Sequence, residues 1–261
     1  MIRVTNDLLR AVDSNGGAIL VLLDLSAAFD TIDHDVLLKA LETQCGIVGT
    51  VLKWFASYLS NRRQAVKIGA AISSFVSLAF GVPQGSVLGP ILFTLYTTPL
   101  GEIIKRHGLN FHLYADDTQL YILFRPKDAV SQESARAKIE ACAEDIRRWM
   151  NNNLLKLNED KTELIIITSN HTNSSFTIKI GNDTISPSDE IPDPPKNLGV
   201  YFDKNLSFVK HLKKVVGAIN FAFYNIGKIR KYLDRPSCES LINGLTCSRL
   251  NYCNTLFYGA P

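Results

Sequence analysis

Residues 18–25 read Ala18-Ile19-Leu20-Val21-Leu22-Leu23-Asp24-Leu25. The run is short, nearly unbroken in apolar character and bounded upstream by the turn Ser14-Asn15-Gly16-Gly17. That pattern predicts a strand buried on both faces. It also carries an anomaly. An ionised carboxylate at the end of a buried strand is costly unless it is paired or bound to a metal, and Asp24 stands there.

Outward from this strand the pattern is regular. Upstream, Val4, Leu8 and Val12 share a face at spacing four, as on a helix over residues 1–13. Downstream, Asp33-His34-Asp35 has N-cap chemistry and opens a helix, and a second helix over 51–59 stops at Ser60-Asn61. Residues 64–68 and 75–80 read as a strand pair. The breaker-rich loop from Gly81 to Ser86 leads into a buried helix over 87–104. Residues 111–115 and 118–124 are apolar strands with only Asp116-Asp117 between them, which is hairpin spacing. Ala135, Ile139, Cys142, Ile146 and Trp149 mark an amphipathic helix ended by Asn151-Asn152-Asn153, and residues 164–168 form another strand. The stretch 169–196 is polar and predicts a surface loop with one short hairpin near Phe176–Ile180. A last amphipathic helix spans 206–233. With 33–80 set aside as an insertion, the order is strand, helix, strand–turn–strand, helix, strand, the ferredoxin-like βαββαβ arrangement of an α+β fold.

In such a sheet the first strand lies beside the hairpin, so Asp24, Asp116 and Asp117 are expected to converge at one sheet end. Converging acids without a local cation suit Mg²⁺, and two such ions can stabilise both oxygens of an in-line phosphoryl displacement. Taken singly, each acid reads equally well as turn or cap chemistry.

The 261 residues are 46% hydrophobic and 20% charged, which excludes wholesale disorder and leaves room for a sizeable core. No apolar run approaches the length of a membrane span, and the N-terminal MIRVTNDLLR lacks the apolar centre of a secretory signal. Five cysteines at 45, 142, 238, 247 and 253 form no CxxC, so a reducing, intracellular setting, nuclear or cytoplasmic, is expected. Net charge is only +3, but 196–235 holds nine Lys/Arg against Asp203 and Asp234. That stretch suits a polyanion or, more plainly, a solvated helix face.

Several segments, in order, resemble the reverse transcriptase domain of LINE-type non-LTR retrotransposons. Leu22–Asp30, with Asp24 and Phe29, looks like motif A. Gly81–Phe93, with Pro83-Gln84-Gly85-Ser86, looks like motif B, and Tyr114-Ala115-Asp116-Asp117 looks like motif C. Trp149 through Asn158-Glu159-Asp160-Lys161-Thr162 resembles motif D. Asn197–Phe202 resembles motif E, the primer grip, and Ser248–Asn254 is similar to a segment carried after the palm. Four letters such as YADD are a weak signal; five motifs in order are highly specific.

The resemblance implies a polymerase palm with partial fingers over 1–205 and the start of a helical thumb over 206–261. It implies two Mg²⁺ ions held by Asp24, Asp116 and Asp117, with the Leu25 carbonyl beside them. Phe29 would stack under the sugar of a dNTP, and Gln84 and Gly85 would approach nucleotide or template. Lys161 would protonate the departing pyrophosphate. Arg62 would touch template phosphate, and Lys210, Lys213 and Lys214 would track duplex backbone. The expected partners are an RNA template, a DNA primer and dNTP, with no membrane; the sequence names no protein partner. Core packing is the plain alternative for Phe29, and a solvated surface for Lys161 and Arg62. Because motif A begins so near the start, the family's fingers are expected to be incomplete, and polymerisation by the isolated chain weak or absent. Two other readings stand beside this one: a non-catalytic remnant with residual RNA binding, and an RNA-dependent RNA polymerase. Phe29 argues against the latter, although Asp30 beside it blurs the argument.

Overall fold

The computed structural model describes residues 1–26, 29–83, 85–169, 176–188 and 194–257. The strand read first is the centre of the molecule. Strand β1 (Gly17–Ser26) pairs antiparallel with β7 (Asp117–Phe124) on one side and β8 (Lys156–Thr168) on the other. Strand β6 (Asn110–Tyr114) closes the far edge, giving the order β6-β7-β1-β8. Helix α4 (Leu88–Arg106) connects β1 to the β6–β7 hairpin, and α5 (Ala129–Asn152) connects that hairpin to β8. The result is the βαββαβ connectivity with all neighbours antiparallel.

Side chains alternate across β1, and both sets are buried. Ile19, Val21, Leu23 and Leu25 face a core shared with α4, α5 and helix α2 (His34–Thr43). Ala18 and Leu20 face a second core with Val4 and Leu8 of α1 (Ile2–Asp13), together with Phe202, Phe208 and Leu256. The C-terminal segment therefore packs on the sheet beside α1. The Tyr121 hydroxyl ties the two by donating to Asp7 Oδ2 at 2.6 Å.

Local chemistry sets the element ends. The Asp33 carboxylate accepts from Asp35 N and Val36 N at the start of α2, and Asp128 does the same for Val130 N and Ser131 N at α5. Helix α3 (Gly49–Leu59) stops at an extended Ser60. All five cysteines are free thiols, and burial pushes the Cys142 thiol up to about 12, which leaves it unreactive.

Four details depart from the sequence expectation. The hairpin turn is Ala115-Asp116, not Asp116-Asp117, because Tyr114 pairs with Asp117. Ala115 takes φ +52 there, the left-handed region that an alanine enters at a cost of roughly 1–2 kcal/mol. Strand β8 starts at Lys156 rather than 164; its first half is polar and has no apolar alternation to betray it. The pair read over 64–80 is an interrupted ribbon. Arg63–Gln64 (β2) pairs with Val76–Ser77 (β5), and Lys67–Ile68 (β3) pairs with Ala71–Ile72 (β4). Helix α6 (Val209–Ile229) buries His211, Ile219, Ala222 and Ile226, but Val216, Phe223 and Ile229 of the expected apolar stripe stay exposed. The short hairpin near 176–180 is present as β9 (Ile178–Ile180) with β10 (Asp183–Ile185).

Candidate active site

The β1–β7 pairs end at Leu23↔Thr118, whereas the β1–β8 pairs run on to Ser26↔Lys156. Asp24 and Asp117 are thus next in line at one end of the sheet, where β1 outruns β7. Asp117 is exposed, yet it lines the same small cavity as Asp24. Desolvation, then the charges of Asp116 and Asp24, raises it above the ordinary carboxylate range. Asp117 therefore feels the charge of Asp24, about ninety positions away in the chain, and Asp116 sits beside it on the turn. The Leu25 side chain is buried in the core, which leaves only its backbone for any ligand.

Strand β8 supplies the cationic side. Its register against β1 slips between Leu22↔Glu163 and Asp24↔Asn158, a bulge closed by the Thr162 hydroxyl donating to Asn158 O at 2.9 Å. Bulges re-aim side chains. Here the bulge brings Asn158 Nδ2 to 3.2 Å from Asp24 Oδ2 and Lys161 Nζ to 3.7 Å from the same oxygen. Lys161 is 71% exposed, so this pair is worth little to stability. Asn158 as a direct partner of Asp24 was not evident from sequence, because an irregular register leaves no periodic mark.

Facing this sheet end is the hairpin β11 (Lys196–Asn197) and β12 (Val200–Tyr201). Its turn residues Leu198 and Gly199 sit at φ +45 and +87, the two positive values a tight type I′ connection demands. The Tyr252 hydroxyl donates to Leu198 O at 2.6 Å and holds the turn from outside.

Motifs A and B are joined by backbone. Val82 N donates to Phe29 O and Gly81 N to Ile32 O, both at 2.8 Å, and His34 Nε2 lies 2.8 Å from Gly81 O. Gly81 has φ +86, and a Cβ there would stand 3.0 Å from Asp30 Cα, Asp30 O and Phe29 O. Only glycine fits this crossing. Phe29 is partly buried with its ring 5.1 Å from Phe93, so the packing alternative describes its contacts. Gly85 has φ +76 and open space around it, while Gln84 lies outside the described residues.

The remaining cations stand apart from the acids. Arg62 lies over the Tyr58 ring at 4.5 Å, donates through Nε to Tyr58 O, and lines a cleft of about 860 Å³ with Asp30, Phe80 and Pro83. Tyr58 in turn stacks on the exposed Trp54. Lys210 and Lys213 line a separate hollow beside Asp203, and Lys214 reaches over the Tyr201 ring at 5.7 Å.

Among the described residues no three of His, Cys, Asp and Glu are gathered closely enough to form a ready metal cage. The donor chemistry still fits a hard divalent cation. The acids offer only oxygens and repel one another, and Mg²⁺ accepts few carboxylates, completing its shell with waters and phosphates. Among the described residues no helix is long and apolar enough to cross a membrane.

The reverse transcriptase (RNA-dependent DNA polymerase) family model matches residues 2–202. The probable RNA-directed DNA polymerase from transposon BS of Drosophila melanogaster is 28% identical over 258 residues, covering 92% of this chain and 26% of that protein. The corresponding protein of transposon X-element from the same fly is 31% identical over 220 residues, covering 82% and 22%. The chain spans about a quarter of the length of the curated relatives it matches. Among solved structures, telomerase from Candida tropicalis with a fragment of telomeric RNA has a TM-score of 0.51 at 13% identity, covering 99% of this chain and 42% of that one. Its Candida albicans counterpart has a TM-score of 0.50 at 14% identity, covering 99% and 43%. Likeness at such identity speaks for the fold, a palm of the reverse transcriptase type. Motif order, sheet topology and a match over most of the length agree: the chain belongs to the reverse transcriptase family, on the LINE-type, non-LTR side to which its motifs pointed.

Proposed function

We propose that this chain is the palm of an RNA-directed DNA polymerase, with residues 1–205 as palm and partial fingers and 206–261 as the start of the thumb. The reaction is attack of a primer 3′-hydroxyl on the α-phosphate of a dNTP, templated by RNA, in an intracellular setting. The observation that carries this reading is the meeting of Asp24 and Asp117 at one sheet end, where both line one small cavity.

Asp24, Asp117 and Asp116 would hold two Mg²⁺ ions, which when bound lower the charge cost of the attacking and leaving oxygens. Asn158 fixes the rotamer of Asp24 through its amide. Lys161, already beside Asp24, is placed to give a proton to the pyrophosphate leaving group. The partly buried Phe29, at the motif A–B crossing, would stack under the sugar of the nucleotide. Arg62 on its aromatic ladder would meet template phosphate, and Lys210, Lys213 and Lys214 would follow the duplex.

The open carboxylate arrangement and the Lys161 contact also suit the alternative, a non-catalytic retrotransposon remnant with residual RNA binding. Metal linkage separates the two. Under the catalytic reading, millimolar Mn²⁺ raises the melting temperature of the purified chain, and Asp24→Asn removes that rise. In primer extension on an RNA template, Asp24→Asn lowers the rate roughly a hundredfold to a thousandfold, the scale of losing one preorganised charge stabiliser. A melting temperature indifferent to Mn²⁺ would leave the remnant reading standing.

A further inference from the structure

Between the acid-bearing sheet end and the β11–β12 hairpin lies a small cavity of about 100 Å³. Asp24, Asp117, Lys161 and Glu163 line it from the sheet, and Asn197 and Leu198 line it from the hairpin. Gln119, two residues past Asp117 on β7, lines it as well. Gln119 and Asn197 are only 1% and 3% exposed. Gln119 Nε2 donates to Asn197 Oδ1 at 2.6 Å, and this side-chain bond spans 78 positions of sequence. Among the described residues, Gln119 Oε1 and Asn197 Nδ2 find no partner. Turning both carboxamides over exchanges the roles and still leaves one acceptor and one donor spare.

Burying two amides and satisfying only half of each is costly, so such an arrangement calls for a reason. Two leucine-like side chains would fill the same space without that cost. The hairpin gives the reason. Its turn is held in the left-handed region at both central residues, Leu198 and Gly199, and needs fastening to stay there. The sheet offers two polar attachments: the Gln119–Asn197 bond and a backbone hydrogen bond from Lys196 to the Glu163 carboxylate. Gln119 and Asn197 line the same cavity as Asp24 and Asp117, so the bond sits at the join between the hairpin and the acidic sheet end.

We propose that Gln119 and Asn197 are positioning residues: their amide pair locks the β11–β12 hairpin to the acidic sheet end and so holds the walls of the cavity around Asp24 and Asp117. This rests on the catalytic reading of the acids. The pair touches no reacting atom; it acts by fixing the geometry around the carboxylates.

The test uses the purified chain with Gln119→Met, Asn197→Leu and the double change, which keep approximate shape and remove the amides. Two measurements are made: backbone hydrogen exchange over residues 196–201, and the rise in melting temperature caused by Mn²⁺ alone. Each single variant is expected to speed exchange in the hairpin by about tenfold, the loss of one buried bond, while exchange in β1 stays within about twofold. The Mn²⁺-dependent rise should fall to half or less. The double variant should recover apo stability, because no amide is left unpaired, yet not the Mn²⁺-dependent rise. Hairpin exchange unchanged in the single variants overturns the proposal. A loosened hairpin with an undiminished Mn²⁺ response overturns it too, since the pair is then only structural. A wild-type chain blind to Mn²⁺ refutes the catalytic reading and this inference together, an outcome seen before any variant is made.

Discussion

Two β regions of this molecule have similar composition and opposite fates. In β1 the residues from Ala18 to Val21 are fully buried, with a core on each face. In the ribbon β2–β5 every strand residue is exposed, including Ile68, Ile72 and Val76. Each carries β-branched residues, Ile19 and Val21 in the one and Ile68, Ile72 and Val76 in the other. What differs is what lies above and below. The central strand has α4 and α5 on one side and α1 with the C-terminal segment on the other. Among the described residues the ribbon is held by its own two-residue pairings, by hydrogen bonds between Val66 and Ser73, and by the Arg63 guanidinium over Phe75. β-propensity is therefore a fit to a pleated, half-buried surface rather than a property of the strand alone.

The sharpest way to break the comparison is a matched truncation. Leu20→Ala opens a cavity in the second core and should cost roughly 2–5 kcal/mol, a fall of roughly 5–15 °C in melting temperature. Phe75→Ala on the ribbon should stay within about 0.5 kcal/mol. Comparable losses by denaturant titration would mean that the ribbon has a core contact not apparent in its exposure.

The crossing between the ribbon region and the sheet is the next most sensitive point. Gly81→Ala forces a Cβ against the backbone of Phe29 and Asp30, neither of which can give way, at a positive φ. A loss of roughly 1–3 kcal/mol is expected. An alanine variant as stable as the parent would show that the motif A–B crossing is free to shift.

The exposed region should matter for binding instead of folding. Arg62→Ala should weaken single-stranded RNA binding roughly threefold to tenfold and lower the log–log salt slope by about 0.7. Filter binding across a salt series reads both. An unaltered slope would place Arg62 outside the RNA path.

The smallest effect concerns the acids. The folded-state carboxyl of Asp117 titrates above its ordinary value, so the native form holds this proton to higher pH than the unfolded chain does. Raising pH beyond the unfolded value then disfavours the native state. Without divalent metal, Asp117→Asn should therefore melt about 1–2 °C higher at pH 7, with the gain disappearing below about pH 4. A variant that melts lower at pH 7 would contradict the repulsion at the sheet end.

How much of this was legible beforehand follows the same physical line. Strand β1, helices α4 and α5 and the capping acid Asp33 write themselves in periodicity and N-cap chemistry, which are local. The first half of β8 did not, because its polar residues Asn158–Lys161 serve a bulge and not a face. The hairpin turn was misread by one residue because an Asp-Asp pair looks like turn chemistry, whereas register places Ala115 there and Asp117 in the strand. Asp24, Asp116 and Asp117 stood out only together, as acids expected to converge at one sheet end.

By itself the sequence determined the βαββαβ order, the central buried strand and the family, since each depends on patterns within a few residues or on motifs in line. Only the tertiary structure decided that Asn158 and Lys161 turn toward Asp24, that Gly81 is sterically obligatory, and that Gln119 and Asn197 share a buried bond. These are contacts between residues far apart in the chain, set by strand register and by one bulge. A one-residue change in register reverses which side chains meet, and nothing in local composition records it.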